Sequence, residues 1–450
     1  MKLFGTDGVR GEANVVLTAE LAYQLGRAAA YVLKRDGLPD KEPAMVIGKD
    51  TRISGDMLEA SLIAGICSTG INVYQAGVIP TPAVAVLTRM LNCMAGVVIS
   101  ASHNPYQDNG IKFFSPLGTK LPDELEQAIE EVIANGLADI PSPSGAGIGR
   151  VIPYAEAADK YAHFIQSKVD GDFAGIRVVA DCANGAASHI APKLLRSLGA
   201  DVVAISCNPD GININDGCGS THLEQLQQAV VKEEADLGIA YDGDADRLLA
   251  VDEHGNVVDG DKLLLIFGSY LDQQGLLKEN TVVVTVMSNL GLKVALKDKG
   301  IRTLETAVGD RYVIEGMRES GAVLGGEQSG HIVFGLDNTT GDGILSSVKL
   351  LQILKQSKHS LSVLAGEMEQ YPQILINVPV KQKQGWESKE EIKASIMHAE
   401  AELGDTGRVL VRASGTENLL RVMVEGKNQS QIERLANAIA DVVKVVMNTP

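Results

Sequence analysis

Three things are missing from this sequence. No apolar run reaches membrane-spanning length, no signal-peptide pattern opens the chain, and no two cysteines stand at C-x-x-C spacing. The first two absences lead us to expect a soluble, cytoplasmic protein with no membrane partner. The third, with an odd total of five cysteines (Cys67, Cys93, Cys182, Cys207 and Cys218), argues against a disulfide framework. Cations are scarce as well. The 40 Lys and Arg against 57 Asp and Glu give a formal charge of −17, which argues against nucleic acid as a partner. An anionic ligand would have to be held by a few locally clustered cations. Aromatic residues make up only 4%.

What the chain does have is small and apolar. It carries 47 glycines, 45% hydrophobic residues and 450 residues in all, enough for two to four domains with substantial cores. Small side chains and glycine loops suit α/β layers better than an all-β sandwich. A strand–helix alternation runs from Met45–Gly48 through a helix over 54–67 capped by Ser54, with a further strand over 95–99. The stretch 135–150, with Pro141, Pro143 and four glycines, reads as a linker. The alternation restarts near 177 and again after about 256. From about 372, strands at hairpin-like spacing, a charged amphipathic helix over 389–403 and a helix over 431–447 replace it. We therefore expect four domains, over 1–150, 151–255, 256–370 and 371–450. The first three are similar mixed α/β domains with mainly parallel sheets, without a strong sequence repeat. The last is a smaller C-terminal α+β domain.

Four loops carry chemistry. In Val98–Phe114 an apolar strand stops in Ser100, Ser102, His103, Asn104 and Pro105, with an Asn109-Gly110 turn signal and Lys112 entering the next strand. A serine lifted off a strand's carboxyl end is placed to carry a nucleophile or a phosphoryl group. The segment Ala240–Arg247 holds Asp242, Asp244 and Asp246 at alternate positions, separated by Gly243 and Ala245. Three carboxylates turned to one side repel, and a hard divalent cation neutralises them; an all-oxygen set fits Mg²⁺. Arg247 follows and could hold a phosphate. An EF-hand loop counted from Asp242 would end on Glu253, but its sixth position is Arg247 where Gly is needed. The third loop, Gly325–His331, offers Glu327, Gln328 and Ser329 as readers of sugar hydroxyls. The fourth, Arg412–Arg421, brings two arginines, Ser414, Gly415 and Thr416 together as a phosphate clamp, with an ordinary hairpin turn as the plain alternative. The glycine-flanked opening over residues 4–11 presents Asp7 and Arg10.

Taken together and in this order, the four loops resemble the α-D-phosphohexomutase superfamily over the whole chain. Ser-Ala-Ser-His-Asn-Pro is similar to its phosphoserine loop and Asp-Gly-Asp-Ala-Asp-Arg to its metal loop. The opening Phe4–Gly11, the Gln of the sugar loop and Asp210–His222 resemble its amino-sugar branch. The resemblance implies four domains around a central cleft. It implies interconversion of glucosamine 6-phosphate and glucosamine 1-phosphate for amino-sugar nucleotide and cell-wall precursor synthesis. Ser102 would carry the phosphoryl group as phosphoserine. One Mg²⁺ per chain would sit on Ser102, Asp242, Asp244 and Asp246, with a sugar bisphosphate as intermediate and a possible activator. His103, Lys112, Arg10, Arg247 and His331 match positions around the reacting phosphate. Glucose or mannose phosphates as substrates, a phosphatase, and a non-catalytic sugar-phosphate sensor are the alternatives. The sequence leaves oligomeric state open, a homodimer being one arrangement.

Overall fold

The apolar run Ala95–Ile99 forms a strand buried at every position, and two further segments of the same kind, Leu237–Tyr241 and Leu324–Gly326, repeat its role. The computed structural model describes residues 2–5, 8–35, 43–414 and 417–448. Asp7, Gly415 and Thr416 lie outside them. Two compact units divide the chain: Met1–Met287 with Lys299–Glu367, and Ser288–Asp298 with Met368–Pro450.

The first unit holds three mixed sheets built on one plan. In the first, Ala44–Lys49 lies between its parallel neighbours Asn72–Val78 and Ala95–Ile99, and Asp108–Phe114 runs antiparallel beyond the latter. In the second, Arg177–Asp181 lies between Asp201–Ile205 and Leu237–Tyr241, with Leu248–Asp252 antiparallel beyond. In the third, Thr281–Thr285 lies between Arg302–Thr306 and Leu324–Gly326, with Ile332–Phe334 antiparallel beyond. The expected threefold similarity is thus present in topology. In each sheet the turn from the third strand to the antiparallel one leaves the carboxyl end of a buried parallel strand. Those three turns are the serine, aspartate and glutamate loops. A parallel strand ends with its side chains released at the sheet edge, where α/β sheets place ligands.

Three local expectations are corrected. The stretch 135–150 is not a free linker: Arg27 donates to Ile140 O and Ser142 Oγ, and residues 151–153 return as an edge strand parallel to Asn72–Val78. Asn109-Gly110 is strand rather than turn, because a side chain at 110 would lie 2.5 Å from Ser100 O and the glycine serves close approach. Ser54 is the first helical residue and accepts from Asn109 Nδ2 at 2.9 Å instead of capping. Thr18, by contrast, does cap the helix Ala19–Arg35, its Oγ1 taking the Leu21 N–H.

The helix Gly343–Ser357 begins on Asp342, whose Oδ1 accepts from Leu345 N at 2.9 Å and Tyr161 Oη at 2.7 Å, while Oδ2 accepts from Asn338 Nδ2. Burial pushes this carboxyl up to about 6, against these hydrogen bonds. A folded value above the unfolded one means that its stability contribution is full below about pH 4. The contribution is lost as pH rises through about 6. Asp342→Asn keeps the capping acceptor and removes the titration. We expect its unfolding free energy, compared with the parent by urea titration from pH 4 to pH 7, to rise by on the order of 2 kcal/mol across that window.

In the second unit, Gln373–Pro379, Leu419–Gly426 and Gly407–Ala413 form an antiparallel sheet. The helices Glu390–Leu403 and Gln429–Asn448 pack on it around Ile392, Leu403, Val422, Ile432, Ile439 and Val443. Segment 288–298 belongs here because Glu425, buried in the sheet, accepts from Leu290 N, and Arg408 donates to Ser288 O.

Candidate active site

Ser102 sits at the top of the first hairpin with a φ of +52°, a left-handed conformation that costs a non-glycine residue roughly 1–2 kcal/mol. Its N–H is fixed by Ser100 Oγ at 2.9 Å. In that pose Oγ donates to Asp242 Oδ2 at 2.5 Å, across 140 positions of sequence, and lies 3.5 Å from His103 Nδ1. The backbones meet because residue 243 has no side chain: a Cβ there would stand 2.5 Å from Ser102 O.

The three aspartates are buried, and each offers an oxygen within 4.8 Å of the other two. Among the described residues no other trio of His, Cys, Asp or Glu gathers so closely. Burial raises Asp242 well above the usual carboxylate range, reinforced by the charges of Asp246 and Asp244. Burial acts on Asp244 in the same sense, but the Lys112 ammonium and the Thr81 hydroxyl outweigh it and hold that carboxyl below its ordinary value. Thr81 Oγ1 donates to Asp244 Oδ2 at 2.6 Å and Lys112 Nζ lies 3.7 Å from it, whereas buried Asp244 Oδ1 makes no hydrogen bond. A carboxylate oriented through one oxygen, with the other uncommitted, is what a cation ligand requires. The trio therefore fits a divalent metal. The EF-hand alternative fails: Glu253 is engaged by Ser362, whose hydroxyl donates to it at 2.5 Å, and the aspartates lie on a strand hairpin.

Cations surround the trio. Arg247 donates its N–H to Asp242 Oδ1 at 3.2 Å, with Nε 3.9 Å from Asp246. Burial works against its charge, but the three aspartates and Glu327 raise its pKa. Burial, then the charges of Arg247 and Arg10, drive the His103 imidazole down to about 4, so it is neutral at pH 7. Arg10 pairs across the sheet with Gly110, two positions from Lys112. His331 is buried with neither ring nitrogen hydrogen-bonded, Nε2 being 3.9 Å from Asp246 Oδ2. The aspartate and glutamate loops are joined by the Arg247–His331 bridge and by Leu248 N donating to Gly330 O at 3.0 Å. Gly330, at φ +89°, leaves no room for a Cβ beside Leu248 O.

The sugar-reading set is held in place. Glu327 Oε1 accepts from Gly309 N at 2.9 Å, and Gln328 Nε2 donates to Asp259 Oδ2 at 3.2 Å. A cavity of about 450 Å³ is lined by Ser102, His103, Arg247, Glu327, Gln328, Ser329 and His331, with Arg10 also on its wall. That volume is within the range of small-ligand sites. The first unit therefore brings together all of the residues expected around a reacting phosphate and sugar.

The remaining loop lies in the second unit. Arg412 and Arg421 face each other across adjacent strands, and burial, with the Arg421 charge, lowers the Arg412 pKa. Two like charges held side by side, with buried Arg421 Nε making no hydrogen bond, favour an anion. Ser414 is buried, and Lys383, which sequence reasoning missed, donates to its carbonyl at 2.6 Å. Also missed were Thr81, Arg52 and Asn215. Thr81 has no sequence signature. Asn215 lies inside the Asp210–His222 stretch, which marked kinship without revealing a contact.

The chain matches four models described as phosphoglucomutase/phosphomannomutase. They are alpha/beta/alpha domain I over residues 1–139, domain II over 154–255, domain III over 259–371 and the C-terminal domain over 375–442. It is 55% identical over 442 residues to a phosphoglucosamine mutase of Desulforamulus reducens, covering 98% of this chain and 99% of that one. It is 56% identical over 444 residues to a phosphoglucosamine mutase of Carboxydothermus hydrogenoformans, with the same coverage. Among solved structures, a phosphoglucomutase/phosphomannomutase family protein of Burkholderia thailandensis superposes with a TM-score of 0.83 at 23% identity, covering 98% of this chain and 97% of that one. The Aspergillus fumigatus N-acetylphosphoglucosamine mutase, in complex with GlcNAc-6P and magnesium, gives 0.70 at 19% identity, covering 99% and 96%.

Proposed function

The chain belongs to the phosphoglucomutase/phosphomannomutase family, and we propose that it interconverts glucosamine 6-phosphate and glucosamine 1-phosphate through a phosphoserine at Ser102. The observation that supports this most is the 2.5 Å contact between Ser102 Oγ and the aspartate trio, a hydroxyl beside three carboxylates that fit a cation. The curated relatives above 50% identity over almost the whole chain support the amino sugar.

Ser102 gives its phosphoryl group to the free hydroxyl of the sugar phosphate. The Ser102 Oγ–P bond breaks, a sugar O–P bond forms, and the product is a sugar bisphosphate. The sugar then turns over and returns its other phosphate to Ser102. The hydroxyl proton needs an acceptor at the reacting end. His103, neutral and 3.5 Å from Oγ, is one candidate, with Lys112 and His331 as its rivals. Mg²⁺, held by Asp242, Asp244, Asp246 and an oxygen on Ser102, supplies positive charge to the phosphoryl oxygens when bound. Arg247, Lys112 and Arg10 add to that charge, since phosphoryl transfer depends mainly on positioning and electrostatics. Glu327, Gln328 and Ser329 hold sugar hydroxyls in both poses. Arg412, Ser414, Gly415, Thr416 and Arg421 would bind a phosphate group.

The test sets glucosamine, glucose and mannose 6-phosphates side by side with Mg²⁺ and a trace of glucose 1,6-bisphosphate. We expect kcat/KM for the glucosamine phosphate to lead by roughly tenfold or more. Equal rates on glucose or mannose phosphate would move the assignment to a sibling mutase, and stoichiometric release of inorganic phosphate would make it a phosphatase.

A further inference from the structure

The serine loop is gripped from below by two side chains that the mechanism above does not use. Arg52 Nη2 donates to Ser102 O at 3.1 Å and to Asn104 O at 2.5 Å. Asn215 Nδ2 donates to the same two carbonyls, at 2.9 and 3.0 Å. Two donors thus fork across the two carbonyls that bracket His103. Arg52 is buried and tied to buried Asp50, on the turn after Ala44–Lys49. Asn215 is also buried and comes from the loop after Asp201–Ile205 of the second sheet, where its own φ is +59° and its N–H donates to Ala183 O at 2.9 Å. Gly243, between two of the aspartates, leaves the space it occupies: a Cβ at 243 would stand 2.9 Å from Asn215 Nδ2.

We infer that Asn215 is a positioning residue for the phosphoryl carrier: it fixes the Ser102 backbone in its left-handed pose and so sets the place of Oγ against the aspartate trio. The inference rests on Ser102 being that carrier. Ser102 bends through a conformation it does not prefer, so its Oγ position depends on what holds the two carbonyls. The Arg52 grip comes from the serine's own sheet. Asn215 comes from the sheet that bears the aspartates, and it alone of the two ties the nucleophile's backbone to the layer that carries the metal site. Losing it leaves Ser102 chemically intact but free to shift relative to Asp242. Displacements of about 1 Å cost about 100-fold in rate in sites of this kind. Asn215 touches no reacting atom in this arrangement, so substrate affinity is untouched.

The experiment compares the parent enzyme with Asn215→Ala and with Asn215→Leu, which keeps the approximate shape without the donors. Each is purified, phosphorylated with glucose 1,6-bisphosphate and checked by intact mass. Steady-state kcat and KM for glucosamine 6-phosphate and thermal unfolding are measured on the same preparations. We expect kcat to fall about 100-fold in both variants, with KM within about threefold of the parent and the melting temperature little changed. Parent-like kcat in Asn215→Leu overturns the inference. So does a fall in kcat accompanied by a matching loss of melting temperature, which marks a structural residue. A parent enzyme that turns over without phosphate on Ser102 overturns instead the phosphoserine reading, and the two failures are thereby told apart.

Discussion

Ser102→Ala loses mutase turnover by about 10⁴-fold or more, roughly 5.5 kcal/mol of barrier, while the folded protein and its cation site persist. The size of the effect follows from the chemistry. The phosphoryl group must reside somewhere while the sugar reverses, and Ser102 Oγ is the hydroxyl in contact with the aspartate trio. His103, 3.5 Å from that oxygen, is neutral but cannot take over without displacing the phosphate from the trio. The backbone cost is small, because Ala accepts the left-handed pose nearly as well as Ser and the carbonyl clamp remains. Asp242 loses a hydrogen-bond donor but keeps the Arg247 N–H. Intact-mass measurement after incubation with glucose 1,6-bisphosphate should show one added phosphate on the parent and none on Ser102→Ala. Turnover by this variant at the parent rate would place the carrier elsewhere.

Asp242→Asn should separate stability from activity in opposite directions. Metal-free, the parent crowds three buried carboxylates, and burial together with Asp246 and Asp244 opposes ionisation of Asp242. A carboxyl whose folded pKa is raised costs stability increasingly as pH climbs above its unfolded value, so replacing it with a neutral amide relieves that cost at pH 7. The amide oxygen can still accept from the Ser102 hydroxyl, and Arg247 retains Asp246 and Asp244 as counter-charges. With metal the order reverses. Mg²⁺ at about 100 times its Kd stabilises the parent by about 2.7 kcal/mol, and a variant that no longer binds it gains almost nothing. Thermal unfolding with EDTA and with Mg²⁺ reads both halves. The variant should match or exceed the parent in EDTA and fall behind it in Mg²⁺, with kcat reduced by about 10³-fold. Equal Mg²⁺-induced shifts in the two proteins would remove Asp242 from the cation site.

Much of this is legible in the sequence. The buried strands ending at Ile99 and Tyr241 were visible as short apolar runs closed by polar turns, because burial on both faces needs continuous hydrophobicity. The aspartate trio was visible because alternation with Gly243 and Ala245 is a local pattern. Other features misled for equally local reasons. Asn109-Gly110 carries turn residues, yet it sits in a strand because Ser100 O presses against position 110. The proline- and glycine-rich stretch 135–150 resembles a linker, yet Arg27 anchors it and Val73 N donates to Arg150 O at 2.8 Å.

From the sequence by itself came the element types, the threefold layer plan in outline, and the serine and three acids proposed to carry the reaction. All of these depend on neighbours within a few residues, where spacing dictates geometry. Only the tertiary structure decided that Ser102 reaches Asp242, that Thr81 and Lys112 commit one oxygen of Asp244, and that Asn215 holds the serine loop. Those contacts join residues far apart in the chain. A single hydrogen bond across such a separation leaves no periodicity to read, and it exists only because burial of three sheets brings their carboxyl ends together.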